Sequence, residues 1–194
     1  IASIAAAKGM PILLTNPNSL PGVEKTYLEE IKDNLTESYV IGGSAVVTDS
    51  VKDAVPGKVT RISGADRFAT NLEVLKAFYA EAASFDTIFV ANGTDRHLVD
   101  ALVASTLAAS TNSPIVMVNK DFDANAKAYV EGKLSAATKV IALGGETVVS
   151  PAVQTSNYVR AEDFGVMQIS EVNGYTVGFN LIGGKDNVVS VEVS

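Results

Sequence analysis

The sequence has no cysteine, which excludes disulfides, thiolate zinc sites and cysteine nucleophiles together. Histidine is reduced to His97. A Ser-His-Asp triad would have to use it, and a multi-histidine metal site is impossible. Positive charge is scarce as well. Fifteen basic residues face 22 acidic ones, for a formal charge of −7. The deficit is spread, with −4 on residues 1–153 and −3 on residues 154–194, so neither part has the basic field of a nucleic-acid binder. Long hydrophobic runs are missing too. The most apolar stretch, residues 1–14, is broken by Lys8 and Pro11 and falls short of the ~20 residues of a membrane span. It lacks the basic start and cleavage pattern of a signal peptide. Ile1 is not an initiator methionine, so we expect a processed chain or an excerpt of a longer one. What is present, 47% hydrophobic and 19% charged residues in 194, is the composition of a globular chain. It makes one domain and a remainder, or two small domains.

Strand and helix patterns alternate. Pro11-Ile12-Leu13-Leu14-Thr15 is a short apolar run of the kind expected for a strand buried on both faces. Residues 22–35 place Val23, Tyr27, Leu28, Ile31 and Leu35 at helical spacing. Strands are predicted at 38–41, 58–62, 87–91, 115–118 and 139–143. Helices are predicted from Asp66, over 95–110 and over 125–134. The alternation implies an α/β fold with an open parallel sheet flanked by helices. After about Val153 the pattern changes to alternating, β-branched segments, with Asn173-Gly174 and Gly183-Gly184 between them. Those dipeptides are hairpin signals, so residues from about 160 to 194 read as antiparallel β.

The chain also repeats itself. Ala5-Ala6 and Pro11-Ile12 recur as Ala108-Ala109 and Pro114-Ile115, 103 residues later. Tyr27 recurs as Tyr129, and Gly42-Gly43 as Gly144-Gly145, 102 residues later. Residues 45–51 match 147–153 at that same offset. The slip of one falls in a loop, where an insertion is cheap. The unit is thus about 100 residues. Residues 1–55 form the C-terminal half of one copy and residues 56–153 a complete one, while 154–194 form a β-rich segment, taken as part of a separate module.

Four segments then fall in a recognisable order. Arg61-Ile62-Ser63-Gly64-Ala65-Asp66-Arg67-Phe68-Ala69-Thr70 fits R-x-x-G-x-D-R-[YF]-x-T. Asp100-Ala101-Leu102-Val103-Ala104 fits a D-A-L-A-A helix, and Pro114-Ile115-Val116-Met117 a P-I-L-L strand. Ala142-Leu143-Gly144-Gly145 with Val148-Val149-Ser150 fits I-G-G-x-x-x-V-S. Over residues 1–153 this set resembles the cell-wall-binding repeat type 2 of clostridial and other Gram-positive surface, S-layer-associated proteins. The resemblance implies an α/β module, normally in tandem groups of three, that anchors an extracellular surface protein to an anionic secondary cell-wall polymer. It implies neighbouring repeats, of the same or another chain, as further partners. From the lone histidine and the lack of a metal-ligand cluster or phosphate loop, we expect no catalytic activity, no metal and no cofactor.

Individual residues admit two readings each. Arg61 and Arg67 can fork onto polymer phosphates or serve as structural pairs within the repeat. Asp66, with Thr70 behind it, reads as a helix cap, and Asp100 as an orienting or capping carboxylate. Gly64, Gly144 and Gly145, like Gly42-Gly43, read as tight turns, because none completes a phosphate-loop or nucleophile-elbow frame. The net charge opposes an anionic polymer at long range, so binding requires a local basic site or a bridging cation. Lys58, Arg61, Arg67, Arg96 and Lys120 are the candidates, expected at strand ends and interdomain clefts, where open α/β sheets place ligands. Two rivals stand beside anchoring. One is a structural or adhesive module in which the α/β part is only a scaffold. The other is a cell-wall hydrolase fragment, against which the lone histidine and the missing phosphate loop weigh.

Overall fold

Helix and strand alternate through the computed structural model, which describes residues 1–150 throughout. Beyond them it describes the backbone of residues 158–160, 167–168, 177–181 and 189–193. The chain divides into two compact units, Ile1–Glu81 and Ala82–Ser194.

In the first unit, α1 (Ala2–Ala7) leads through a loop to α2 (Gly22–Ile31), which ends in a 3-10 turn, Lys32–Asn34. Then come β1 (Glu37–Ile41), α3 (Asp49–Asp53), β2 (Lys58–Ile62) and α4 (Arg67–Phe78). β1 and β2 pair in parallel, Glu37 opposite Lys58 and Ile41 opposite Ile62. Leu20, Leu28, Val40, Val47 and Val51 form the buried cluster beneath them, with Leu35, Val55 and Val59 at its margin. α1 buries Ser3, Ile4 and Ala5. The end of α4 lies close to it. The Lys8 ammonium sits 5.8 Å above the Phe78 ring, and Tyr79, which follows α4, is buried.

The second unit holds β3 (Thr87–Asn92), α5 (Leu98–Ser110), β4 (Ile115–Val118), α6 (Ala124–Glu131), β5 (Lys139–Leu143) and β6 (Tyr158–Arg160). Its sheet runs β4-β3-β5-β6, parallel throughout. Phe89, Ala91, Ile141 and Leu143 pack against Ala101, Ala104, Leu107 and Ala108 of α5, whose alanines let the helix approach the sheet closely. Ile88, Val90, Val140 and Ala142 alternate with them and are fully buried too. Both faces are therefore covered, which is why these strands read as unbroken apolar runs. Leu98, Val99, Leu102 and Val103 of α5 remain exposed. Three further strands, β7 (Met167–Gln168), β8 (Val177–Leu181) and β9 (Val189–Val193), pair antiparallel in the order β7-β8-β9. The turn dipeptides Asn173-Gly174 and Gly183-Gly184 lie outside the described residues.

The α/β class with parallel sheets flanked by helices is thus as the sequence pattern indicates. One expected strand is not there. Residues 11–15 pair with nothing as a strand, and Ile12, Leu13 and Leu14 are 52%, 37% and 79% exposed. Their repeat counterpart, β4, is a strand because it bonds to β3. Among the described residues no strand lies beside 11–15, and an extended segment needs a partner to become a strand.

Phase is the second difference. β2, which opens the complete sequence copy, pairs with β1, which belongs to the half copy before it. β6 repeats this relation to β5 from beyond residue 153. Sequence copies and compact units are therefore out of step, because the strand opening each copy is added to the sheet of the copy before.

Candidate functional site

The carboxyl ends of the parallel strands carry the loops with most of the candidate residues. The diglycine turns are built alike in both units. Gly42 and Gly144 leave their strands with φ of +123° and +103°, a region that favours glycine. The carbonyl of Gly43 then accepts from Val46 and Val47, both at 2.9 Å. Gly145 accepts from Val148 and Val149 at 2.9 and 3.0 Å. The turn is closed from the neighbouring loop, by Thr48 N–H to the Pro17 carbonyl in one unit and Ser150 N–H to the Lys120 carbonyl in the other, each at 2.9 Å. In each turn the carbonyl of the second glycine is thus taken up within the turn itself.

Arg61 lies in β2 opposite Val40, with its side chain 17% exposed. Its guanidinium donates to the Gly42 carbonyl at 2.7 Å and to Asp49 Oδ1 at 2.9 Å. It ties the end of β1 to the start of α3. Lys58 lies at the opposite end of the same strand and donates to Glu37 Oε1 at 3.0 Å. Tyr39 also donates to Glu37, at 2.7 Å. These two bonds, led by the tyrosine's, hold the Glu37 carboxyl below its usual range.

Asp66 caps α4, its Oδ1 accepting from Ala69 N–H at 2.8 Å. Thr70 Oγ1 accepts from Gly64 N–H at 2.9 Å. A Cβ on Gly64 would stand 2.5 Å from Ala69 backbone and side-chain atoms, so the motif glycine is dictated by close approach of loop and helix. Arg67 is the exposed first residue of α4.

In the second unit, Arg96 is exposed in the loop after β3, and Lys120 is exposed after β4 with φ of +63°. Asn92, at the end of β3, locks that loop by donating to the Val148 carbonyl at 2.8 Å and accepting from Thr94 N–H at 2.9 Å. His97 precedes α5, and Asp100 lies in its first turn. Asp100 Oδ2 faces the Gly144 turn, 3.6 Å from where a Cβ on that glycine would lie. Burial raises the Asp100 carboxyl above its ordinary value, and nearby His97 offsets this only in part.

The candidates thus fall into separate groups. Lys58, Arg61 and Arg67 belong to the first unit, and Lys58 sits at the wrong end of β2 to join Arg61. Arg96 and Lys120 share the carboxyl edge of the second unit's sheet. Sequence reasoning missed Asp49, the partner of Arg61, and Asn92. The duplicated turn held a usable signal, since Asp49 stands in the matched segment 45–51.

Comparison with known proteins bears on what such an edge serves. The chain is 30% identical over 195 residues to the amidase enhancer of Bacillus subtilis, covering 99% of this chain and 24% of that protein. It is 27% identical over 115 residues to the N-acetylmuramoyl-L-alanine amidase LytC of the same organism, covering 59% of this chain and 22% of that one. Among solved structures it resembles Cwp8 from Clostridium difficile, with a TM-score of 0.64 and 34% identity over 77% of this chain and 24% of that chain. It also resembles Cwp6 from Clostridium difficile, with a TM-score of 0.69 and 25% identity over 84% of this chain and 27% of that chain. The chain therefore spans about a quarter of the length of these relatives. Residues 1–52 and 61–154 match the family described as cell wall binding domain 2 (CWB2), and the chain belongs to that family.

Proposed function

We propose that this chain anchors a bacterial surface protein, non-covalently, to an anionic polymer of the cell wall. The observation that carries the reading is the family match falling on both copies of the repeat, over residues 1–52 and 61–154. The compact α/β units support it, because their strands end in loops that present polar side chains at one sheet edge. Arg96 and Lys120 are exposed there in the second unit, and Arg67 is exposed at the start of α4 in the first. Arg61 and Lys58, each held by a carboxylate, contribute to the fold before they contribute to binding. The family and its structural neighbours point to a binding module, so the chain's part in any wall-processing parent is attachment rather than bond cleavage. In the parent, neighbouring repeats would be further partners, and the site of action is the outer face of the wall.

The test is sedimentation of the purified chain with isolated Gram-positive walls. We expect the chain to pellet with intact walls, to be released by free polymer, and to stay in solution when acid extraction has stripped the anionic polymer. Equal retention on stripped walls would overturn the reading and favour a scaffold or adhesive role. Soluble fragments released from the walls during incubation would instead favour a hydrolase.

A further inference from the structure

The two units share a frame but differ by one strand. In the second unit β3 lies between β4 and β5. It bonds on both sides. Phe89 and Gly93 N–H donate to the Pro114 and Val118 carbonyls at 3.0 and 2.9 Å, and residues 87–91 pair in register with 139–143. Ser150 N–H reaches the Lys120 carbonyl at 2.9 Å, so the turn after β5 and the segment after β4 are joined although β3 separates those strands. In the first unit the sequence counterparts of β4 and β5 are residues 11–15 and β1. The same joining bond is made there, from Thr48 N–H to the Pro17 carbonyl at 2.9 Å. Yet the sheet of β1 is β1-β2, and among the described residues no strand stands on the other side of β1.

Exposure follows the two margins of that position. Val140, Ile141, Ala142 and Leu143 of β5 are all buried, whereas of Ser38, Tyr39, Val40 and Ile41, which align with them, only Val40 is. Val116 of β4 is 1% exposed, while its counterpart Leu13 is 37% exposed and Leu14 reaches 79%. An unpaired strand edge beside exposed apolar side chains is a template for an added strand. The second unit shows what fits between such margins. It is a parallel strand, Ile88-Phe89-Val90-Ala91, apolar on both faces and closed by Asn92-Gly93. The asparagine is part of the fit, because its Nδ2 donates to the Val148 carbonyl at 2.8 Å. The counterpart of Val148 is Val46, which is exposed. A strand ending in asparagine would place a donor at that carbonyl.

We propose that β1 and residues 11–15 form an acceptor site for one parallel strand of the β3 type, an apolar run closed by Asn-Gly, supplied by another repeat of this family. The ligand is a peptide strand and not a wall polymer, so the inference stands apart from the anchoring reading. The probe is a synthetic peptide with the sequence of residues 85–94, added to the whole chain. Hydrogen exchange read by mass spectrometry should slow about tenfold or more at the amides of both 12–15 and 38–41, and stay unchanged at 139–143. Anisotropy of the labelled peptide gives its affinity. A peptide carrying Val90→Pro lacks an N–H in mid-strand and should not bind. Asn92→Leu in the peptide should weaken binding about tenfold, by leaving the Val46 carbonyl without its donor. Leu13→Ala in the chain should weaken it similarly, since insertion would bury Leu13 as Val116 is buried. Slowing confined to 38–41 would mean a strand laid on an open edge and would overturn the proposal. So would equal binding of the Val90→Pro peptide, or an exchange pattern indifferent to the peptide. Self-association that protects both segments without peptide would assign the site to a second copy of this chain, and would overturn the occupant proposed.

Discussion

A single missing methyl group decides the conformation at the start of α4. A Cβ on Gly64 would meet the Ala69 carbonyl carbon and Cβ at 2.5 Å and the Thr70 nitrogen at 2.7 Å. Two of these three atoms are backbone, held by the Asp66 cap, and cannot swing aside. Gly64→Ala should therefore cost about 2 kcal/mol or more in urea unfolding. Gly43→Ala, whose Cβ meets nothing within 4 Å, should stay within about 0.5 kcal/mol of the parent. Equal stabilities would show that the loop yields. Asp100 offers a test of a different kind. Burial lifts its folded-state carboxyl above the ordinary 3.8, so the folded chain holds this proton more tightly than the unfolded chain does. Its contribution to stability then falls as pH rises from about the ordinary value through the raised one, and the penalty persists at neutral pH. Asp100→Asn cannot ionise. The variant should gain on the parent as pH rises across this window in parallel denaturant titrations. A gain confined to acid would contradict the sign.

At the scale of elements, the same apolar pattern has two fates. Pro11-Ile12-Leu13-Leu14 and Pro114-Ile115-Val116-Met117 align in sequence, yet only the second becomes a strand. Val116 is 1% exposed and Leu13 is 37% exposed. Val116→Ala should cost about 2 kcal/mol through lost burial and a cavity, whereas Leu13→Ala should cost well under 1 kcal/mol. Comparable losses would mean that Leu13 is covered in solution. Such cases mark what a sequence reveals. Apolar runs, diglycine stops and the Asp66 cap record local preference, so β1 to β5 and α4 were legible. Pairing partners are not local. Nothing in residues 11–15 records which segment they would pair with, and nothing in 158–160 announces a parallel strand in a segment whose later part alternates. The candidate site divides similarly. Arg61, Arg96 and Lys120 were visible as charges, but the bond from Arg61 to Asp49 depends on a turn that brings residues 12 apart together.

For the whole molecule, the governing quantity is the charge of −7. On the anchoring proposal, a polyanion approaching from afar meets the net charge, and only at contact does it meet the local cations. Ionic strength separates the two regimes. The screening length is ~30 Å at 0.01 M salt, enough to carry repulsion across the domain, and ~8 Å at 0.15 M, where only local charges act. Salt should therefore raise the association rate of polymer and chain between these limits, the opposite of a basic nucleic-acid binder. Dissociation should also quicken, because the contacts themselves are ion pairs. Affinity should then pass through a maximum at intermediate salt rather than decline throughout. Stopped-flow association with purified polysaccharide at graded salt resolves the two rates. An association rate that falls steadily as salt rises would mean that the local cations already dominate at long range, and that the overall acidity of the chain is no obstacle to its capture.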